Sequence, residues 1–374
     1  MIFCVEIYYL EMKILVINKN QIYNIPPLIS VIYILRDLGH EVHLVTCGIN
    51  DTIASEFKNR GVTFEVADYA NASNSIAKVC EYLLFHSYVK RVLKNLTYDY
   101  VWIEGGNTVR AIGKNLLSGK KYILQISELH EDAPGQLAAI SKVIHQAQAV
   151  FMPEYNRTAI YQAWFKLLRR PYVLPNKPYF IPSEKELAGL SDKYSNYIDL
   201  FKSKKVILYQ GWISKRNRDM SAFVEATARL GDDFAFVMMG RDTENSVQYY
   251  KKLYPKLVHI DFIPAPDYML LTSLSYIGII VYNPDKLNQT YCAPNKIYEY
   301  GAFGKPMIGN NLPGLHIIED LGAGRVAEQD DAEALYSAIK DIDSNYQNFS
   351  NSAKRMYDDC DNKETIRRVL SQLK

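Results

Sequence analysis

"PYVLPNKPYFIPS", residues 171–183, holds four prolines and divides the sequence in two. Proline lacks an amide donor and fixes φ, so such a run cannot continue a helix and suits an extended linker. On its N-terminal side, short apolar runs alternate with helix-length segments: "KILVIN" (13–18), "EVHLVT" (41–46), "VTFEVA" (62–67), "YVWIEG" (100–105), "YILQIS" (122–127) and "AVFMP" (149–153). On its C-terminal side the rhythm restarts with "KKVILYQG" (204–211), "FAFVMMG" (234–240), "LVHIDFI" (257–263), "YIGIIVY" (276–282), "KPMIG" (305–309) and "GRVAE" (324–328). Continuous apolar runs bounded by turn residues read as strands buried on both faces, and strand–helix alternation gives parallel sheets covered by helices. The expected fold class is therefore α/β, with two doubly wound, Rossmann-like domains. Their boundaries are read as an extension over 1–11, a first domain over 12–175, a second over 176–355, and a C-terminal helix over 356–374 that crosses back to the first domain. Ligands of such folds bind at the carboxyl ends of the strands, so a cleft between the two sheets is the expected site.

Composition bounds the function. A chain of 374 residues is too long for one ordinary core. Its 43 basic and 41 acidic residues nearly cancel, which gives no global argument for a nucleic-acid partner. Five scattered cysteines (Cys4, Cys47, Cys80, Cys292, Cys360) form no C-x-x-C, so neither a zinc site nor a disulfide framework is indicated, and a reducing, cytoplasmic compartment is expected. The opening "MIFCVEIYYLEMKILVIN" is broken by Glu6 and Glu11 and lacks a basic n-region, so it reads poorly as a signal peptide or membrane span. The loop after the first strand, "NKNQIYN", is not G-x-G-x-x-G, and no P-loop, G-x-S-x-G or H-E-x-x-H occurs. Nicotinamide dehydrogenase chemistry is thereby disfavoured.

The second domain offers anion-binding groups instead. After "VILYQG" comes "WISKRNRD", where Gly211 permits a tight turn and Lys215, Arg216 and Arg218 crowd the start of the next helix. A helix N-terminus with guanidinium groups suits a diphosphate, though a solvated basic loop has the same appearance. "MMGRDTENS" repeats the arrangement with Gly240 and Arg241. Farther on, "YCAPNKIYEYGAFGKPMIG" (291–309) starts a helix near Pro294 and Asn295 and places Lys296 and Glu299 three apart, on one face. Lys296 supplies a point charge for phosphate, and Glu299 accepts hydrogen bonds from a vicinal diol such as a ribose. The competing reading is a weak surface ion pair, against which stands the apolar, glycine-rich flank.

"APNKIYEYGAFGKPMI", "YQG" after the first strand of the second domain and "VLPN" at the hinge resemble a GT-B glycosyltransferase of the retaining, family-four-like group, across most of residues 12–355. The resemblance implies that the second domain binds a nucleotide-diphospho-sugar as donor substrate, with no further cofactor, and that the first binds the sugar acceptor. It also implies that Glu299 holds the ribose, that basic residues of the first loop neutralise the diphosphate, and that the base lies against Phe262 and Ile263. This sequence departs from the family in three places. The first glutamate of the family's E-x7-E pattern falls on Tyr291, Trp212 stands where an arginine usually follows the glycine, and Ser127 stands at the usual histidine of the strand-end segment "ISELHEDAPGQ". Arg216 or Arg218 is then expected to serve the diphosphate, and Ser127, Glu128 and His130 to mark the acceptor side. "IEGGN" (103–107) reads either as a lining of the same cleft or as a plain turn.

No D-x-D metal site is evident between the domains, so side-chain cations and helix dipoles are expected to replace a metal. Two basic, aromatic stretches, 82–96 and 161–174, carry Lys90, Arg91, Lys94, Lys166, Arg169 and Arg170. They suit either an anionic lipid surface, hence a lipid-linked acceptor at the inner membrane face, or ordinary helices with snorkelling basic residues. The reading is a glycosyltransferase of cell-surface glycan or glycoconjugate synthesis. Its competitors are a sugar-nucleotide epimerase of the same fold and a non-catalytic sugar-nucleotide-binding subunit.

Overall fold

The computed structural model describes residues 11–69 and 74–373, so the expected extension, with Cys4, lies outside the described residues except for Glu11. Among the described residues Cys47, Cys80, Cys292 and Cys360 are free thiols. The chain divides into two compact units: Met1–Pro175 together with Asp361–Lys374, and Asn176–Cys360. The C-terminal region is two helices, Tyr346–Asp359 and Asn362–Gln372, and the break at Cys360–Asp361 is where the chain returns to the first unit.

The first unit holds β1 (Lys13–Gln21), β2 (Glu41–Gly48), β3 (Thr63–Val66), β4 (Tyr100–Glu104), β5 (Tyr122–Gln125), β6 (Ala149–Met152) and β7 (Tyr172–Val173), in the spatial order β3-β2-β1-β4-β5-β6-β7. Every pairing is parallel. Ile14, Leu15, Val16 and Ile17 of β1 are buried on both faces of the sheet, as a continuous apolar run requires. Trp102 of β4 stacks on Phe151 of β6 and donates its indole N–H to Gln125 Oε1 at 2.9 Å, so a large ring is buried without an orphaned donor. The helix Pro26–Asp37 begins with its prolines and stops at Gly39, whose φ of +84° suits a residue without a side chain.

The second unit holds β8 (Lys205–Gln210), β9 (Phe234–Met239), β10 (Val258–Ile260), β11 (Ile277–Ile280), β12 (Met307–Asn310) and β13 (Gly324–Ala327), in the order β10-β9-β8-β11-β12-β13, again all parallel. Alternate residues of β8 serve opposite cores: Val206 and Leu208 join one apolar cluster, Ile207 and Tyr209 the other. In both sheets the order reverses beside the first strand, between β1 and β4 and between β8 and β11, and this reversal makes the crevice where doubly wound sheets bind ligands.

Three local expectations are corrected. The proline-rich run is not wholly linker, because Tyr172 and Val173 form β7 against Phe151 and Met152. An edge strand of two residues tolerates Pro171 and Pro175 at its ends, where no ladder bond is needed. The stretch 161–174 is not one amphipathic helix: the helix Tyr155–Phe165 ends at Lys166 in the left-handed conformation. Arg170 then folds back onto that helix, bonding Thr158 Oγ1 at 2.6 Å and the Tyr155 carbonyl at 2.7 Å. Finally, β1 runs on to Gln21 through a register shift, taking in residues that read as a loop. No helix among the described residues is long and apolar enough to cross a membrane.

Candidate functional site

In the second unit the functional groups gather at the carboxyl ends of β8, β9 and β11. Gly211 and Gly240 follow β8 and β9 with φ of 131° and 146°. A β-carbon on Gly240 would lie 1.8 Å from the Gly211 carbonyl oxygen, so the two backbones interlock only because position 240 is glycine. A β-carbon on Gly211 would lie 3.0 Å from Lys296 Nζ and 3.7 Å from Arg218 Nη1, so two cations flank one backbone point at the end of β8.

Arg218 is held there by its Nη1 donating to the Tyr209 hydroxyl at 3.2 Å and by its guanidinium lying 4.8 Å from the Tyr282 ring. Tyr209, fully buried, in turn donates to the Trp212 carbonyl at 2.7 Å. The two arginines differ in setting: Arg218 is half-buried near Gly211 and Lys296, whereas Arg216 is exposed. Lys215 is drawn aside by Asp219, at 3.4 Å, and lies over the Tyr249 ring. Trp212, at the family's arginine position, is turned to Thr243, donating to Oγ1 at 2.8 Å.

Lys296 and Glu299 ride on the helix Lys296–Ala302, which Asn295 opens in helical conformation by accepting from the amides of Tyr298 and Glu299 through its carbonyl. Pro294 before it is buried. Tyr300 pins the helix to the sheet: its hydroxyl donates to the Leu208 carbonyl at 2.9 Å, and its ring occupies the space that a side chain at Gly278 would need. Burial, then the charge of Arg218, pushes the Lys296 ammonium down to about 8, with Glu299 pulling the other way. Glu299 is buried and not a surface ion pair. Gln210 Nε2 donates to its Oε2 at 2.6 Å, Thr272 Oγ1 donates to Gln210 Oε1 at 2.7 Å, and the Tyr268 hydroxyl also bonds the carboxylate. Burial raises the Glu299 carboxyl, opposed by Tyr268, Lys296 and Gln210 in that order. Arg241 is exposed and lies over the exposed Phe262 ring at 4.6 Å, beside the buried Ile263.

In the first unit the corresponding crevice is lined by the ends of β1, β4 and β5. "IEGGN" joins the end of β4, Ile103 and Glu104, directly to the start of the helix Gly105–Leu117 and is not a free turn. The segment after β5 is fixed from the helix Tyr155–Phe165: the Arg157 guanidinium donates to the Ser127 carbonyl and sits 3.7 Å from Glu128, and the Tyr161 hydroxyl donates to the Glu128 and Leu129 carbonyls. Ser127 Oγ is 3.5 Å from Glu104 Oε1. His130 adopts φ of 64°, unusual for a histidine, and is half-buried.

Sequence reasoning had not singled out Gln210, Tyr209, Tyr268, Tyr282 or Lys19. Lys19 is buried, with Nζ donating to the Tyr69 carbonyl at 2.6 Å beneath the Tyr82 ring. The available signal was a polar residue closing an apolar strand, as Gln210 and Glu104 both do.

Residues 204–345, most of the second unit, match the family model described as Glycosyl transferases group 1. A search of curated proteins found none that matches. Among solved structures, a glycosyltransferase from Rickettsia africae superposes with a TM-score of 0.73 at 16% identity, covering 98% of each chain. The Anabaena protein HepE in complex with UDP-glucose gives 0.69 at 13% identity, covering 97% of this chain and 99% of that one. A Listeria monocytogenes structure assigned as a UDP-N-acetylglucosamine 2-epimerase gives 0.59 at 13% identity, covering 92% of this chain and 91% of that one. The fold is GT-B, and the second unit carries a glycosyltransferase domain.

Proposed function

We propose that the protein transfers a glycosyl group from a UDP-sugar to a sugar acceptor, the donor's diphosphate lying between Arg218 and Lys296. The observation that carries this is the convergence of both cations on Gly211 at the end of β8. UDP is the favoured nucleotide because HepE, of the same fold, was captured with UDP-glucose. Glu299, oriented by Gln210 and Tyr268, presents its remaining lone pairs to the ribose, and Phe262 with Arg241 offers a face for the base. The C1–O bond to the β-phosphate breaks, the departing UDP gathers negative charge, and an acceptor oxygen bonds to C1 while its proton passes to the leaving phosphate. Preorganised cations stabilise that developing charge. Retention of configuration and independence of added metal belong to the same proposal.

The acceptor is proposed to be lipid-linked, which would place the enzyme at the cytoplasmic face of a membrane. The helix Ser75–Asn95 supports this: Lys78, Lys90, Arg91 and Lys94 are exposed along it, as are Ile76, Val79 and Leu83. Arg170, engaged within its own unit, is not part of this surface.

Calorimetry with UDP, GDP, ADP and dTDP tests the donor reading, UDP being expected to bind tightest in the presence of a chelator. The epimerase reading is favoured by the Listeria structure. It predicts a new UDP-sugar epimer, seen by NMR, when UDP-sugar is incubated without acceptor; a transferase leaves the donor sugar unchanged.

A further inference from the structure

Amide side chains at the ends of neighbouring strands reach across the sheet of the second unit toward the loop that carries Arg218. Asn310 closes β12, Asn283 lies just beyond β11, and Gln329 just beyond β13. They are joined in series: Asn310 Nδ2 donates to Gln329 Oε1 at 3.1 Å, and Gln329 Nε2 donates to Asn283 Oδ1 at 3.0 Å. Asn310 is only 2% exposed, and a buried amide is retained without penalty only where its donors and acceptors are met.

The remaining bonds of the network all end around Arg218. Asn283 Nδ2 donates to the Arg216 carbonyl at 2.7 Å, the Asp219 amide donates to Asn283 Oδ1 at 3.4 Å, and Gln329 Nε2 donates to the Asp219 carbonyl at 2.8 Å. The backbone is thus gripped on both sides of Arg218, whose own amide donates to the Ser214 carbonyl at 2.8 Å. Asn310 holds Tyr282 by both backbone groups, its Nδ2 donating to the carbonyl at 2.7 Å and its Oδ1 accepting from the amide at 3.2 Å. The Tyr282 ring is the one that lies 4.8 Å from the Arg218 guanidinium. Both N–H groups of Asn310 and both of Gln329 therefore serve either the backbone that carries this arginine, the ring it lies against, or each other.

We propose that Gln329, Asn283 and Asn310 are positioning residues for the donor diphosphate, acting through Arg218. This rests on the donor reading above and deepens it by naming what fixes the cation. A loop free to move would have to be ordered at each binding event, and a long arginine side chain would lose rotamer freedom as well. Held from the ends of β11, β12 and β13, the guanidinium stands beside Gly211 and Lys296 before any ligand arrives, and a preorganised cation needs no reorganisation when charge develops on the leaving phosphate.

The test is a double-mutant cycle on UDP binding, read by calorimetry, with hydrogen exchange of the free protein followed by mass spectrometry. Gln329→Met keeps the side chain's bulk and removes its bonds to Asp219, Asn283 and Asn310. It should weaken UDP binding by about fivefold to tenfold, and Asn283→Ala should do the same. Asn311→Ala is the control: its amide donates to Glu328 Oε1 at 2.6 Å, outside the network, and UDP affinity should stay within about twofold. In an Arg218→Ala background, Gln329→Met should cost less than about twofold, because the residue it positions is gone. A purely structural loss would lower affinity by the same factor with or without Arg218. In the free protein, Gln329→Met should speed exchange of the Arg218 and Asp219 amides by more than about tenfold while β8 and β9 keep their protection. Equal losses in the two backgrounds, or unchanged exchange of the loop, would overturn the proposal. Should the parent bind no UDP, the donor reading falls, while faster loop exchange still upholds the network's grip on Arg218 and unchanged exchange still overturns it. If Gln329→Met does not fold, the half-buried Asn283→Ala carries the same measurements.

Discussion

Lys296 offers the sharpest test of the donor site, because the structure gives it an ionisation that a bound diphosphate must change. In the free protein its ammonium is held near 8, first by burial and then by Arg218. A diphosphate placed against both cations favours the charged form and pulls the group back toward its ordinary 10.5. Binding above about pH 8 therefore takes up a proton, and affinity falls as pH rises through the window from about 8 to 10.5. Full restoration is worth about 3 kcal/mol, and restoration by one unit about 1.4 kcal/mol, or tenfold in Kd. The terminal phosphate of UDP does not confuse the measurement, since a phosphate's second pKa is about 6. Calorimetry of UDP binding from about pH 7 to 9.5, in buffers of contrasting ionisation enthalpy, should show proton uptake that grows with pH and an affinity loss of at least about fivefold. A Kd constant within about twofold across that range, with no buffer-dependent heat, would refute the placement of Lys296 against phosphate.

The same shift has a consequence for the unliganded fold. Because the folded pKa lies below the unfolded one, the unfolded chain binds more protons between about pH 8 and 10.5, and this group makes the free fold gain stability as pH rises through that window. Lys296→Met removes a poorly solvated charge from beside another, so the free protein should melt no lower than the parent while UDP binds at least about tenfold more weakly.

Arg218→Ala should weaken UDP binding by roughly 1.5–3 kcal/mol, the worth of a hydrogen bond to a charged group, whereas Arg216→Ala should change it by less than about 0.5 kcal/mol; calorimetry on the pair decides between them. Glu299→Gln should keep the fold and lower affinity for UDP and uridine alike, because the loss falls on the ribose; an effect on UDP with none on uridine would contradict that role. Gly240→Ala places a β-carbon where the Gly211 carbonyl stands and should lower the melting temperature by more than about 5 °C, read by calorimetric scanning. Substituting Lys90, Arg91 and Lys94 together should reduce flotation with anionic liposomes by about 1 kcal/mol per residue, and flotation of the parent should fall with salt.

What the sequence disclosed follows from which forces are local. Buried strands such as "KILVIN" and "FAFVMMG" are legible because each is apolar on both faces, and the Pro294–Asn295 start with Lys296 and Glu299 on one turn follows from helical spacing alone. β7 was not legible, since two residues between prolines carry no pattern and owe their conformation to β6. Nor could spacing choose between Arg216 and Arg218, two positions apart in one loop: the choice is made by Tyr209 and Tyr282, which lie in other segments and meet Arg218 only in the fold. The engagement of Glu299 by Gln210 was hidden for the same reason, the two residues being 89 positions apart.

The two crevices show how little of the chemistry the shared topology dictates. Both lie where the strand order reverses, beside β1 in one sheet and β8 in the other, and both place a carboxylic acid close by. Around Glu299 the chain sets Lys296 and Arg218, so the buried acid there sits in a field of positive charge and an anion is the fitting ligand. Around Glu104 the neighbours are Ser127 and Glu128, which lies 3.7 Å from Arg157. Burial, chiefly, raises that carboxyl, and no cation is among the groups that shift it. The contrast between the crevices is therefore set by the side chains around each acid and not by the topology the two sheets share.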